Sequence, residues 1–168
     1  MPPRKKNLDS RSRHIKMVLL DVDGVLTDGG LYYSADGQEL KRFHAHDGYG
    51  ITRGREAGLM FGIISGRTTP IVSARASVLK IDEVIQGADD KVAALRGLQQ
   101  RNGLADEEFA FIGDDLFDIP LLRLVGLSAA PRNAFAEVKR HVDYVTRTSG
   151  GEGAVREFID FILASRVT

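Results

Sequence analysis

Three short apolar runs of this sequence end in acids, a hydroxyl and glycines. The run 17–20 leads into Asp21-Val22-Asp23-Gly24, the run 60–64 into Ser65-Gly66-Arg67, and the run 109–112 into Gly113-Asp114-Asp115. If these runs are strands of one parallel sheet, Asp21, Asp23 and Asp114 lie beyond its carboxyl edge, where open α/β sheets bind their ligands. Carboxylates gathered in that way are costly unless a cation neutralises them. The chain has no cysteine and no histidine at these strand ends. The donors are therefore oxygens, and they suit Mg2+ better than zinc or copper. Asp21 and Asp23 stand two residues apart, on one face of extended backbone. One carboxylate can then attack phosphorus while the other protonates the leaving alkoxide, which makes Asp21 the nucleophile and Asp23 first acid, then base. Charge on the transferring group needs fixed donors, and Ser65, Lys91 and the backbone around Gly66 are the candidates. Lys91 opens a predicted helix, an end that favours acids, so an anion accounts for its charge better than the helix does.

Positioning these residues requires the runs to be neighbouring strands. Apolar runs at 17–20, 60–64, 83–85, 109–112, 127–129 and 142–145 alternate with amphipathic segments at 49–57, 68–78, 90–102, 115–125, 134–140 and 154–164. That alternation predicts an α/β fold, a Rossmann-like doubly wound, mainly parallel sheet. Pro70 falls where a helix begins, and Gly58 and Gly103 fall where helices end. Residues 30–43 break the pattern. Two strand-like pieces flank Ala35-Asp36-Gly37, a hairpin signal that places an inserted β-hairpin directly after the first strand. The phenylalanines at 109, 111, 158 and 161 read as core.

A chain of 168 residues builds one core, so residues 15–168 are expected to form a single domain. Residues 1–14 read as a basic, flexible leader. Lys plus Arg number 23 and Asp plus Glu number 23, a balance that gives no general attraction to nucleic acid or to an anionic membrane. The apolar run after the leader is too short for a signal peptide or a membrane span, which makes a cytoplasmic enzyme the expectation. The glycines of Ser149-Gly150-Gly151-Glu152-Gly153 make either a flexible link to the last helix or, as a family resemblance suggests, a segment able to fold over a neighbouring subunit's site.

The segments DVDGVLTDG, ISGR, the Lys of ADDK, and IGDDLFD resemble, in order and spacing, the four motifs of the haloacid dehalogenase superfamily. The hairpin, HDGYGI, VDYVT and SGGEGAVREFID extend the likeness to the capless phosphatases that act on 3-deoxy-D-manno-octulosonate 8-phosphate. The resemblance covers residues 15–165. It implies Asp21 as nucleophile and metal ligand, Asp23 as acid/base with its backbone carbonyl on the metal, and Asp114 as the remaining protein ligand of Mg2+. Asp115 and Asp118 would support the metal from behind. Ser65, Gly66 and Lys91 match phosphate-binding positions, while Arg67, Arg75 and the segment His44, His46, Asp47 and Gly48 match positions near the substrate, a small phosphorylated sugar acid. The resemblance also implies a homotetramer with hairpins packed at its centre, serving lipopolysaccharide precursor synthesis.

Where such phosphatases usually carry Phe-Asn-Val-Arg-Asp-Gly-Tyr-Gly-Ile-Arg, this chain has His46 and Thr52 in place of the two arginines. Histidine does not reproduce a bidentate guanidinium, and Arg53 is the nearest replacement cation. Leu79-Lys80-Ile81 also stands where Leu-Gly-Ile is usual. Two competing readings follow: a phosphatase for a nine-carbon sialic-type acid phosphate, and a non-catalytic oligomerisation module of the same fold. The intact acid set speaks against the module. A phosphomutase would need a cap, and no insertion here is large enough to make one.

Overall fold

The structure, a computed structural model, describes residues 8–166. Its strands are β1 (Met17–Leu20), the hairpin β2 (Tyr32–Tyr33) and β3 (Glu39–Leu40), then β4 (Met60–Ile64), β5 (Glu83–Ile85), β6 (Phe109–Ile112), β7 (Leu127–Ala130) and β8 (Tyr144–Val145). Six of them form one sheet in the order β5-β4-β1-β6-β7-β8, and every pairing in it is parallel. The helices are α1 (Leu8–His14), α2 (Ala45–Glu56), α3 (Pro70–Leu79), α4 (Lys91–Asn102), α5 (Ile119–Leu122) and α6 (Ala154–Ala164).

Alternation along β1 divides the core between the two faces of the sheet. Val18 and Leu20 pack with Ile51 of α2, Val72 and Ala76 of α3, and Val155, Phe158, Ile159 and Ile162 of α6. Met17 and Leu19 pack with Leu95 and Leu98 of α4 and Leu121 and Leu122 of α5. Both faces of β1 are therefore apolar, and the run at 17–20 reads as continuous rather than alternating hydrophobicity. The α/β, doubly wound class expected from the sequence is the class found. β1 lies between β4 and β6, so the chain changes direction across the sheet beside β1 and opens a crevice at its carboxyl end.

Three expectations need correction. Of the leader 1–14, residues 1–7 lie outside the described residues, but Leu8–His14 is a helix and not a flexible tail. It is held by distant partners: Arg11 pairs through two nitrogens with Asp143 at 2.9 and 2.8 Å, and Arg13 Nε donates to the Ser165 carbonyl at 2.7 Å. The segment 115–125 is not one helix. Asp118 turns its carboxylate back to accept from the Asp114 and Asp115 N–H groups at 2.9 and 3.2 Å, leaving a single tight turn, Leu116–Asp118, before the four-residue α5. Of 134–140 only Val138–Arg140 is helical, as one turn.

The segment 149–153 packs against the turn after β1 of the same chain. The Gly151 N–H donates to the Val25 carbonyl at 3.0 Å, and a Cβ on Gly150 would stand 1.8 Å from the Gly24 carbonyl oxygen. Only glycine permits so close an approach. Arg42, beyond the hairpin, clasps the same segment through Glu152 at 2.7 Å.

Lys80 ends α3 in the left-handed region, at φ 53° and ψ 46°, where a Cβ is strained. Lys80→Gly should stabilise the protein by about 0.5–1 kcal/mol, strain relief outweighing the added freedom of the unfolded chain. A urea-unfolding midpoint that failed to rise would refute this.

Candidate active site

The acids that end β1 and β6 meet across the crevice. Asp21, Asp114 and Asp118 each bring a carboxylate oxygen within 4.8 Å of the others. Lys91, at the first turn of α4, reaches into them: Nζ donates to Asp21 Oδ1 at 2.8 Å and to Asp118 Oδ1 at 2.6 Å. Lys91 does not disturb its helix start, because Asp90 supplies the cap and accepts from the Val92 and Ala93 N–H groups at 2.8 and 3.0 Å. The ammonium also lies 5.5 Å from the Phe111 ring centroid and 5.6 Å from that of Phe117.

Gly24 lets the two strand ends approach. It has φ +87°, and a Cβ there would fall 2.0 Å from Asp114 Oδ2. No other residue type fits both the backbone and the space. The turn it makes is closed by Thr27, whose N–H donates to the Val22 carbonyl at 3.0 Å.

Three carboxylates face one ammonium in surroundings largely closed to water. Burial raises the Asp21 pKa to about 6, with Lys91 opposing the rise. Burial, then the neighbouring Asp21 and Asp118, push Asp114 up to about 8. A second cation in the cluster would remove that penalty. Asp118 is already committed to Lys91 and to two N–H groups, whereas Asp21 and Asp114 keep oxygen atoms toward each other. An all-oxygen set of this kind fits a hard divalent ion.

The other expected residues divide into two groups. Ser65 is 2% exposed at the end of β4, held by hydrogen bonds between its backbone and Ile85 and Ala88, and its Oγ accepts from the Arg67 N–H at 3.3 Å. Gly66 lies beside the Phe117 ring, 3.8 Å from the position of a Cβ. The Asp23 carboxylate points away from the cluster, to Lys41 at 2.5 Å and Arg67 at 3.8 Å. Asp115 is exposed and accepts from the Leu116 N–H at 2.6 Å.

The second group lies along α2, between α3 and α6. His44 caps α2, its Nδ1 accepting from the His46 N–H at 3.2 Å. His46 lines a depression of about 440 Å³ with Arg147, Glu152 and Arg156, and none of the strand-end acids borders it. Asp47 is 1% exposed, and its Oδ1 accepts from the Arg156 N–H at 2.9 Å, at the start of α6. Burial raises its pKa. Gly48 lies under the Arg75 guanidinium, whose Nη2 would be 2.7 Å from a Cβ there. Arg75 itself lies over the Phe43 ring at 5.5 Å. Arg53 does not replace the missing charge at the site, because it pairs with Asp160 of α6 at 2.5 Å. Sequence reasoning missed Lys41 and Glu39. A Lys within Glu39-Leu40-Lys41-Arg42 reads as a solvated hairpin residue, yet the Lys41 side chain is 2% exposed.

The haloacid dehalogenase-like hydrolase family matches residues 73–159. The 3-deoxy-D-manno-octulosonate 8-phosphate phosphatase KdsC of Escherichia coli K12 is 39% identical over 164 residues, 98% of this chain and 87% of the relative. A probable YrbI family phosphatase from Pseudomonas syringae superimposes with a TM-score of 0.94 at 45% identity, over 96% of this chain and 92% of the other. The 3-deoxy-D-manno-octulosonate 8-phosphate phosphatase of Moraxella catarrhalis, solved with a magnesium ion, a phosphate ion and a KDO molecule, superimposes with a TM-score of 0.92 at 38% identity, over 95% and 92% of the two chains. With its motifs at the carboxyl edge of a parallel sheet and likeness along nearly its whole length, the chain belongs to the haloacid dehalogenase-like hydrolases, in the family of the 3-deoxy-D-manno-octulosonate 8-phosphate phosphatases.

Proposed function

We propose that this chain hydrolyses 3-deoxy-D-manno-octulosonate 8-phosphate with Mg2+ as cofactor, through an acyl phosphate formed on Asp21. The observation that carries the reading is the meeting of Asp21, Asp114, Asp118 and Lys91 at the β1–β6 crevice, with Asp23 two residues from the nucleophile. The E. coli relative bears the name of this activity.

In the first step an Asp21 oxygen attacks phosphorus and the Asp23 carboxyl group gives its proton to the departing sugar alkoxide. In the second, Asp23, now a carboxylate, takes a proton from the water that attacks the phosphoryl group, and Asp21 leaves. Lys91 keeps Asp21 ionised and, with Ser65 and the backbone at Gly66, holds the phosphoryl oxygens. Asp21, Asp114 and the backbone of Asp23 would hold Mg2+, which supplies charge neutralisation for the carboxylates and the phosphoryl oxygens. Asp118 fixes Lys91 and the Asp114 backbone, and Arg67 would meet the sugar acid at the rim.

A homotetramer assembled through the hairpin accounts for its apolar surface: Leu31, Tyr33 and Leu40 are 63%, 58% and 59% exposed. No helix among the described residues is long and apolar enough to cross a membrane, and the charge balance offers nucleic acid no general attraction. The cytoplasm is the compartment this reading assigns. Phosphate release from a panel of sugar-acid phosphates with Mg2+ tests substrate and reaction together. The eight-carbon ester should be turned over at least about tenfold more efficiently than a nine-carbon sialic-type ester. Preference for the longer acid would replace the substrate, and release from none would replace the reaction.

A further inference from the structure

The hairpin reaches back into the crevice with two charged residues. Lys41 follows β3 directly, and an ammonium so thoroughly shielded from water must be paired. Its Nζ donates to Asp23 Oδ1 at 2.5 Å and lies 3.4 Å from Glu39 Oε1. Glu39 holds Arg67 Nη2 at 2.7 Å, and Arg67 Nη1 stands 3.8 Å from Asp23 Oδ2. Asp23, Lys41, Glu39 and Arg67 thus close a ring in which two cations alternate with two carboxyl groups. Two members come from the loops after β1 and β4, and two from the hairpin.

The hairpin does not need this ring for its own pairing, which runs Tyr32 to Leu40 and Tyr33 to Glu39 through the backbone. A buried ion pair is also a weak way to stabilise a fold, since desolvation offsets its attraction. Its position matters more. Asp23 is two residues from Asp21 in a crowded set of acids, and a proton donor contributes only when it is aimed at the departing oxygen. We infer that Lys41 is a positioning residue: braced by Glu39 and Arg67, it holds the Asp23 carboxyl group out of the Asp21–Asp114–Asp118 cluster and on the hairpin side, where the leaving alcohol must lie to receive its proton. This rests on the reading of Asp23 as acid and base. In the step affected, an Asp21 oxygen bonds to phosphorus, the ester P–O bond breaks, and the Asp23 proton passes to the alkoxide.

Comparing two esters isolates that role. A sugar alkoxide needs the proton, whereas p-nitrophenolate departs without one. In the full-length protein with Mg2+, read in a single turnover so that only transfer to Asp21 is followed, Lys41→Met should slow release of the sugar alcohol about 10²-fold, leave KM within about threefold, and slow release of p-nitrophenolate by less than about fivefold. Combined with Asp23→Asn it should add nothing to the loss caused by Asp23→Asn alone. Glu39→Gln, which loosens the ring from behind, should show the same selectivity at about tenfold and carries the comparison should Lys41→Met not fold. Equal losses on both esters, a loss confined to KM, or additive losses in the double variant would overturn the role of Lys41 while leaving the phosphatase intact. A wild-type protein that turns over neither ester would overturn both.

Discussion

Asp21→Asn should reduce phosphate release by about 10⁴-fold or more, because the proposed nucleophile is replaced by a neutral amide of the same shape. The loss should come without unfolding. In the absence of metal Asp21 is a buried acid crowded by Asp114 and Asp118, its pKa raised to about 6 chiefly by burial. An amide there relieves repulsion while Lys91 keeps its bond to Asp118 at 2.6 Å. The metal-free variant should therefore melt no lower than the metal-free wild type at pH 8, and calorimetry of the two checks it. A variant that keeps more than about a hundredth of the wild-type kcat would remove Asp21 from the nucleophile's role.

Stripping Mg2+ should abolish turnover and make stability depend on pH in an uncommon direction. Asp21 and Asp114 have folded-state pKa values of about 6 and about 8, both above the ordinary value of 3.8. Between those limits the folded state binds more protons than the unfolded chain, so the contribution of these groups to stability falls as pH rises. Below the ordinary carboxylate pKa both states are protonated and the effect vanishes. Adding Mg2+ should thus raise Tm by roughly 4 °C or more at pH 8 and by less than about 2 °C at pH 5. An equal shift at both pH values would show that the ion does not neutralise these carboxylates.

The strands at the sheet's centre were legible in the sequence because burial on both faces leaves uninterrupted apolar runs, and those runs end where the backbone meets the crevice. Expected and observed limits agree there at 17–20, 60–64 and 109–112, and also at 83–85, the edge strand β5. The helix Ala154–Ala164 was legible for a related reason, since Val155, Phe158, Ile159 and Ile162 mark one buried face at helical spacing. What local pattern hid depends on remote partners. Nothing within LDSRSRH announces a docked helix, because Arg11 finds Asp143 across 132 positions of chain. The convergence of Asp21 and Asp114 followed from strand ends alone. The Lys41 ring did not, since it requires the hairpin to fold back by an amount that no turn signal specifies. His44, Asp47 and Gly48 share a motif, and within the chain they divide: His44 caps α2, Asp47 accepts from the start of α6, and Gly48 lies against α3. Periodicity does not distinguish a residue that caps a neighbouring helix from one that meets a ligand.

The close approach of Gly150 and Gly151 to the turn at Gly24 sets an order of events during synthesis. The turn that carries Asp21 and Asp23 leaves the ribosome early, but the segment that braces it is separated from it by more than a hundred residues. α6, which packs on the same face as α2, emerges later still. A nascent chain stalled before residue 150 can pair β1 with β4 and β6, yet its turn at Gly24 lacks the backbone bond from Gly151 to Val25. On the proposed reading, the turn that holds Asp21 and Asp23 is completed only once the segment around Gly150 has been made.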